Sequence, residues 1–170
     1  MIGHDEHMRR SPEPDPGTER ELLLGWLQFH RDALAAKCDG TTDDQLVAQS
    51  APPSTLSLLG LVRHMTEMER HYLGHALSDD GRGFAYCTDE DEEADIEGLD
   101  VSMVSLSQQG WLSQMAESDT LLARHHDLDA DGATGWFTVR WSLLKVIQEY
   151  ARHNGHADIV RERIDGLRGE

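Results

Sequence analysis

Residues 141–158 read Trp141-Ser142-Leu143-Leu144-Lys145-Val146-Ile147-Gln148-Glu149-Tyr150-Ala151-Arg152-His153-Asn154-Gly155-His156-Ala157-Asp158. Val146, Tyr150, His153, Ala157 and, just beyond, Val160 recur at steps of three and four, which places them on one stripe of a helix. The stripe is apolar except for His153, so a helix here carries an imidazole into the core-facing side. Glu149 lies one turn earlier and about 40° round the wheel, on the border of the same face. A carboxylate in that position is costly unless something offsets its charge. A metal ion does so directly. Glu-x-x-x-His spacing sets an oxygen and a nitrogen one turn apart, as two neighbouring corners of a small coordination sphere require. For this helix alone, a hydrogen-bonded or ionic Glu–His pair is the alternative.

Three more amphipathic segments precede it. Leu23, Leu27, His30 and Leu34 mark a helix over 18–39, closed by Lys37 in its last turn and Gly40 beyond it. Thr42 followed by Gln45 fits a capping box for a short helix at 43–48, before Pro52-Pro53. Ser54 or Thr55 caps a helix over 55–78 with Leu61, Met65, Met68 and Tyr72 on one face. Val104, Trp111, Met115 and Leu122 stripe a helix over 101–126, and the segment quoted above extends over 137–165 to a stop at Gly166. Residues 79–100 have no regular period and join the second long helix to the third. No strand alternation and no internal repeat appear. Four long amphipathic helices with one long connection predict an all-α fold, a four-helix bundle with a crossover link, over residues 18–170. Residues 1–17, with Pro12, Pro14 and Pro16, read as a flexible tail.

Composition narrows the function classes. The 170 residues suit one domain, and 38% are hydrophobic. Acidic residues outnumber Lys and Arg 32 to 15, a formal charge of −17 that repels phosphate backbones and argues against nucleic-acid binding. No apolar run is long enough to span a membrane, and the polar start Met1-Ile2-Gly3-His4-Asp5 lacks the apolar segment of a secretory signal, so a cytoplasmic protein is expected. Residues 89–100 hold eight acids in twelve positions and read as a solvated loop. Cys38 and Cys87 are isolated thiols without a basic neighbour, so neither a disulfide nor a reactive thiolate is expected. No nucleophile elbow, phosphate loop or dinucleotide fingerprint is present. Trp26, Trp111, Trp136 and Trp141 are expected to fill the core.

The chain has ten histidines, and their register separates them. His64 lies beside Leu61, Met65 and Met68 and faces inward, so it can join Glu149 and His153 as a third ligand. Three protein ligands leave room for water or substrate, as catalytic sites do. A hydrogen-bonded core histidine is the simpler account of His64 taken alone. His156, within a turn of His153, is either a supporting partner or an alternative ligand. His71 and His75 line the bundle or its rim two and three turns beyond His64. His125 and His126 close the third long helix, where they complement its dipole. His4 and His7 fall in the tail.

The segments Pro53-Ser54-Thr55-Leu56-Ser57-Leu58-Leu59-Gly60-Leu61-Val62-Arg63-His64-Met65 and Glu149 to Asp158 resemble the DinB-like superfamily, most closely its actinobacterial-type branch related to mycothiol-dependent enzymes. The resemblance covers about residues 18–166. It implies a four-helix bundle with a long crossover, often a homodimer. It also implies a divalent metal, zinc or nickel foremost, held by one His on the second helix and a pair spaced by four on the last. His64 matches the first ligand and His153 the last. Glu149 stands where the usual pair has His, as in mycothiol-dependent isomerases of the superfamily, and His156 replaces the usual Gln after Gly155. The implied activity is transfer of a low-molecular-weight thiol such as mycothiol to a small electrophile. Arg63 and Arg152, beside the ligands, are candidates to steer an anionic cosubstrate, although their register points outward. A metal-holding or stress-associated bundle without catalysis is the competing expectation.

Overall fold

Most of the helices start where a hydroxyl takes up a free amide. In the computed structural model, which describes residues 12–167, α1 (Glu19–Cys38) is opened by Thr18 and α2 (Asp43–Val47) by Thr42, both with complete capping boxes. Ser57 caps α3 (Leu58–Glu69) through the Gly60 amide at 3.1 Å, and Thr138 caps α6 (Val139–Asp165) through the Trp141 amide at 3.2 Å. The helix expected from residue 55 therefore starts at 58. Ser57 is the last hydroxyl before the run Leu58-Leu59, and its side chain makes the cap bond. α3 continues through a π-helical stretch, Arg70–His75, into a last turn α4 (Ala76–Ser78). Asp100 caps a 3₁₀ turn, Val101–Met103, that leads into α5 (Val104–Leu122).

α5 stops at Leu122 instead of 126: beyond it the chain tightens into turns, Arg124 N–H bonding Leu121 O at 2.9 Å and His125 N–H bonding Leu122 O at 3.2 Å, and side chains also cover these carbonyls. Arg20 donates to Leu122 O at 2.5 Å and to His125 O at 2.8 Å, and the His125 ring bonds Leu121 O at 2.9 Å. Gly166 ends α6 with φ +79°, the left-handed position that glycine adopts without a Cβ clash.

Among the described residues the chain is all-helical. A single isolated bridge pairs Asp131 with Thr138, and no helix is long and apolar enough to cross a membrane. α6 lies against α1 and α3, and α3 also packs on α5. Their stripes meet as expected: Leu27, Leu34, Leu61, Met65, Trp111, Leu122, Val146, Tyr150 and Val160 are all buried in one core. Each fully buried aliphatic side chain contributes about 1.5–3 kcal/mol, so the core does not depend on any one of them.

Three expectations need correction. Trp136 and Trp141 are 60% and 43% exposed and Trp26 is only half-buried, so of the four tryptophans Trp111 alone lies in the core. Trp141 instead stacks on Phe137 at 3.9 Å, outside the helix packing. The acidic run is not wholly solvated, because Asp95 is 4% exposed and held against α3. Arg63 does not point outward. Its guanidinium bonds Ala94 O at 2.7 Å and Ser107 Oγ at 3.3 Å and lies 3.7 Å over the Tyr86 ring.

His4, His7 and the tail through residue 11 lie outside the described residues. The remainder of that segment touches α1. Pro14 sits so close to Gly25 that a Cβ at position 25 would lie 2.5 Å from Pro14 Cβ.

The centre of the helix packing contains a fully paired polar network. Arg31 grips Glu69 with two bonds of 2.8 and 2.7 Å and reaches Asp119 at 2.7 Å. Tyr150 donates to Glu69 at 2.6 Å, and Trp111 donates to Tyr150 at 2.8 Å. Burial opposes the Arg31 charge, but the adjoining Glu69 carboxylate outweighs it and holds the guanidinium protonated.

Candidate metal centre

α3 and α6 bring His64, Glu149 and His153 together, with one donor atom from each lying within 4.8 Å of the others. Among the described residues this is the one group of three or more His, Cys, Asp or Glu donors close enough to share a metal ion. The His64 and His153 rings face each other with centroids 4.5 Å apart. Glu149 Oε2 stands 3.4 Å from His153 Nε2. The three side chains are mostly buried: His64 is 18% exposed, His153 10% and Glu149 7%.

Each donor is held in a state that suits a cation. Burial, with His64 and His156 nearby, pushes the His153 pKa down to about 4, so its imidazole is neutral at physiological pH and has a lone pair to give. Burial opposes ionisation of Glu149, yet the Lys145 ammonium paired with Oε1, together with His153 and His64, keeps the carboxyl below its ordinary value. With Oε1 on Lys145, Oε2 is the oxygen turned toward the imidazoles. His64 Nδ1 is bonded to Asp95 Oδ2 at 2.8 Å, which leaves Nε2 as the free donor. A carboxylate behind a ligating imidazole fixes its orientation and raises its basicity.

The other candidates separate clearly. His156 Nδ1 lies 3.3 Å from His153 Nδ1, on the ring's other nitrogen, and His156 is not a member of the three-donor group. It supports His153. His71 stacks on Phe84 at 5.4 Å, and His75 contacts Trp136 at 5.6 Å, so both belong to an aromatic cluster on the π-helical stretch. Arg152 is exposed, and the Arg63 guanidinium is bonded to the loop at Ala94 O. Asp95 and Lys145 were not foreseen from the sequence. Lys145 had a signal, since it stands four residues before Glu149 on one helix face. Asp95 had none, because nothing in an acidic run marks which carboxylate turns inward.

A cavity of about 720 Å³ opens on the His64 side, lined by His64 and Asp95 together with Cys87, Phe84 and Met68. Glu149 and His153 form no part of its wall. A second cavity, of about 710 Å³, lies near Cys38, Asp39 and Trp111 and touches none of the three donors. Burial pushes the Cys38 thiol up to about 12 and the Cys87 thiol up to about 11. Neither thiol is lowered toward the thiolate form.

The structure thus defines a class: all-helical proteins in which two sequence-distant helices present a His/Glu/His donor group. The chain belongs to the mycothiol-S-transferase family, a DinB-like family, whose model matches residues 22–166. No curated protein matches it.

Proposed function

We propose that this chain is a metal-dependent S-transferase that joins mycothiol or a similar low-molecular-weight thiol to a small electrophile. His64, Glu149 and His153 hold its divalent metal ion. The fold in this reading is a four-helix bundle formed by α1, α3 with its continuation, α5 and α6. The crossover is residues 79–100, the bundle domain spans 18–170, and residues 1–17 are a tail. The protein is cytoplasmic and acts as a homodimer.

One observation carries the metal: donors 85 and more residues apart in the chain converge within 4.8 Å. The family match supplies the thiol. Two imidazole nitrogens and one carboxylate oxygen fit zinc or nickel, and three protein ligands leave a position for a small molecule. When bound, a dication favours the thiolate form of a thiol near neutral pH.

The chain's own side chains do the rest. Asp95 keeps the His64 proton on Nδ1. His153 stays unprotonated over the physiological range, and Lys145 offsets the Glu149 charge at Oε1. The cavity beside His64 offers space for the reactants next to the donors, where positioning raises the local encounter rate.

Metal analysis of purified protein, followed by an assay of free mycothiol with a fluorogenic alkyl halide, tests this. Loss of thiol with the metal-loaded protein, abolished by chelation or by His153→Ala, is the expected result. A protein that retains neither zinc nor nickel after exposure to both sinks the metal assignment. Tight metal binding with no thiol consumed favours the non-catalytic metal-holding alternative.

A further inference from the structure

One face of α3 is given over to the crossover. Gly60, Arg63, His64 and Glu67 recur at i, i+3, i+4 and i+7, the spacing of a single helical stripe. All four touch the same segment. A Cβ at Gly60 would stand 3.2 Å from Ile96 O, so the residue allows the loop backbone to lie against the helix. Arg63 bonds Ala94 O and covers the Tyr86 ring. Glu67, 1% exposed, accepts the amides of Ala85, Tyr86 and Cys87 at 2.8, 2.5 and 3.1 Å. His64 is held by Asp95 at 2.8 Å. The stripe therefore clamps residues 85–96 at both ends, and one of its four members is a proposed metal ligand.

Resting on the metal assignment above, we infer that Asp95 is a positioning residue for His64, and that docking of the 85–96 segment and metal binding are coupled. The physical reason is direct. An undocked loop withdraws Asp95, and His64 then loses the partner that fixes its tautomer and ring orientation. The docked state binds the cation more tightly, so by reciprocity the cation favours the docked state by the same factor. Removing such a carboxylate partner weakens metal binding by about 10- to 100-fold in comparable sites. Glu67 touches no donor of the group, yet it holds the same segment, so its loss acts in the same direction through the loop.

The experiment uses the full chain and Zn²⁺ itself. Zinc affinity is measured by chelator competition for the parent, Asp95→Ala, Asp95→Asn and Glu67→Gln. Amide hydrogen exchange over 85–96 is followed with and without zinc, and the His64 tautomer is read by ¹⁵N NMR in the metal-free state. The expected results are a zinc affinity about 10- to 100-fold lower in Asp95→Ala, with partial recovery in Asp95→Asn, which keeps an acceptor oxygen. Glu67→Gln shows a smaller loss. Zinc slows exchange of the Ala85, Tyr86 and Cys87 amides in the parent but not in Asp95→Ala. In metal-free parent the His64 proton is on Nδ1, and in Asp95→Ala it is distributed over both nitrogens.

A parent that binds zinc tightly while Asp95→Ala binds it equally well, with unchanged exchange, overturns this inference and leaves the metal assignment standing. A parent that binds no zinc overturns both. Should Asp95→Ala fail to fold, Glu67→Gln and Asp95→Asn carry the same comparison, and unchanged affinity in both is a refutation.

Discussion

Glu149 and Tyr150 are neighbours on α6 and belong to two polar regions with opposite character. Tyr150 turns into the core, where it joins Arg31, Glu69 and Trp111 in a network whose charges are paired and whose donors are used. Glu149 turns toward His64 and His153, where one oxygen and two ring nitrogens lie within 4.8 Å of one another and the two imidazole planes are tilted by 58°. Both regions draw on α3 and α6, the core network adding α1 and α5, and both are largely buried. The difference lies in satisfaction. A complete network rigidifies the core and offers nothing to a ligand, whereas oxygen and nitrogen donors brought within reach of one another are an arrangement a cation can use. A buried polar cluster is thus a candidate site when its lone pairs converge and not simply when it is charged.

The comparison can be broken first at Glu69. Glu69→Ala leaves the buried Arg31 guanidinium with only the exposed Asp119 carboxylate and costs about 3–5 kcal/mol of fold stability in urea unfolding. The zinc affinity of the molecules that remain folded changes little. A loss below about 1 kcal/mol would show that the core network is not the structural region of the pair.

His153→Ala is the complementary case. Metal-free stability changes by about 1 kcal/mol or less, because the core stripes remain. The stabilisation that zinc confers on the parent, about 3–4 kcal/mol at a hundred to a thousand times its Kd, disappears. Thermal melts with zinc and with chelator read both quantities.

Acid sharpens the contrast. In the unfolded chain the His153 imidazole takes its proton near pH 6.5, and in the folded chain near pH 4. Between those values the unfolded state binds more protons, so metal-free stability is full above pH 6.5 and falls as pH drops toward 4. The fall from this group is about 2–3 kcal/mol, and His153→Gln flattens that part of the profile.

The smallest effect comes from Gly155, which sits inside α6 two residues beyond His153 with nothing within 4 Å of the place an added Cβ would take. Gly155→Ala raises stability by about 0.5–1 kcal/mol through helix propensity and leaves zinc affinity unchanged. A drop in affinity would mean that flexibility at this point serves the donors.

The three donors were legible because helical periodicity converts sequence spacing into a face. His153 within an apolar stripe, Glu149 one turn before it and His64 among Leu61 and Met65 each broke a local pattern. The Arg31–Glu69 pair was not legible, since a charged residue on the edge of a stripe looks the same whether it meets solvent or a partner from another helix. The exposure of Trp136 and Trp141 was missed for a related reason: a large aromatic near a helix start satisfies an apolar pattern without saying what covers it.

Sequence by itself determined the long helices, the Thr42–Gln45 capping box and the inward register of His64, Glu149 and His153, because those depend on interactions within about a turn of the chain. Tertiary structure alone decided that Asp95, 31 positions from His64, stands behind its ring, that His156 lies outside the three-donor group, with its Nδ1 3.3 Å from that of His153, and that Arg63 bonds the loop. Those outcomes depend on where an aperiodic segment docks. No spacing rule encodes that, because the docking is selected by the whole surface it meets.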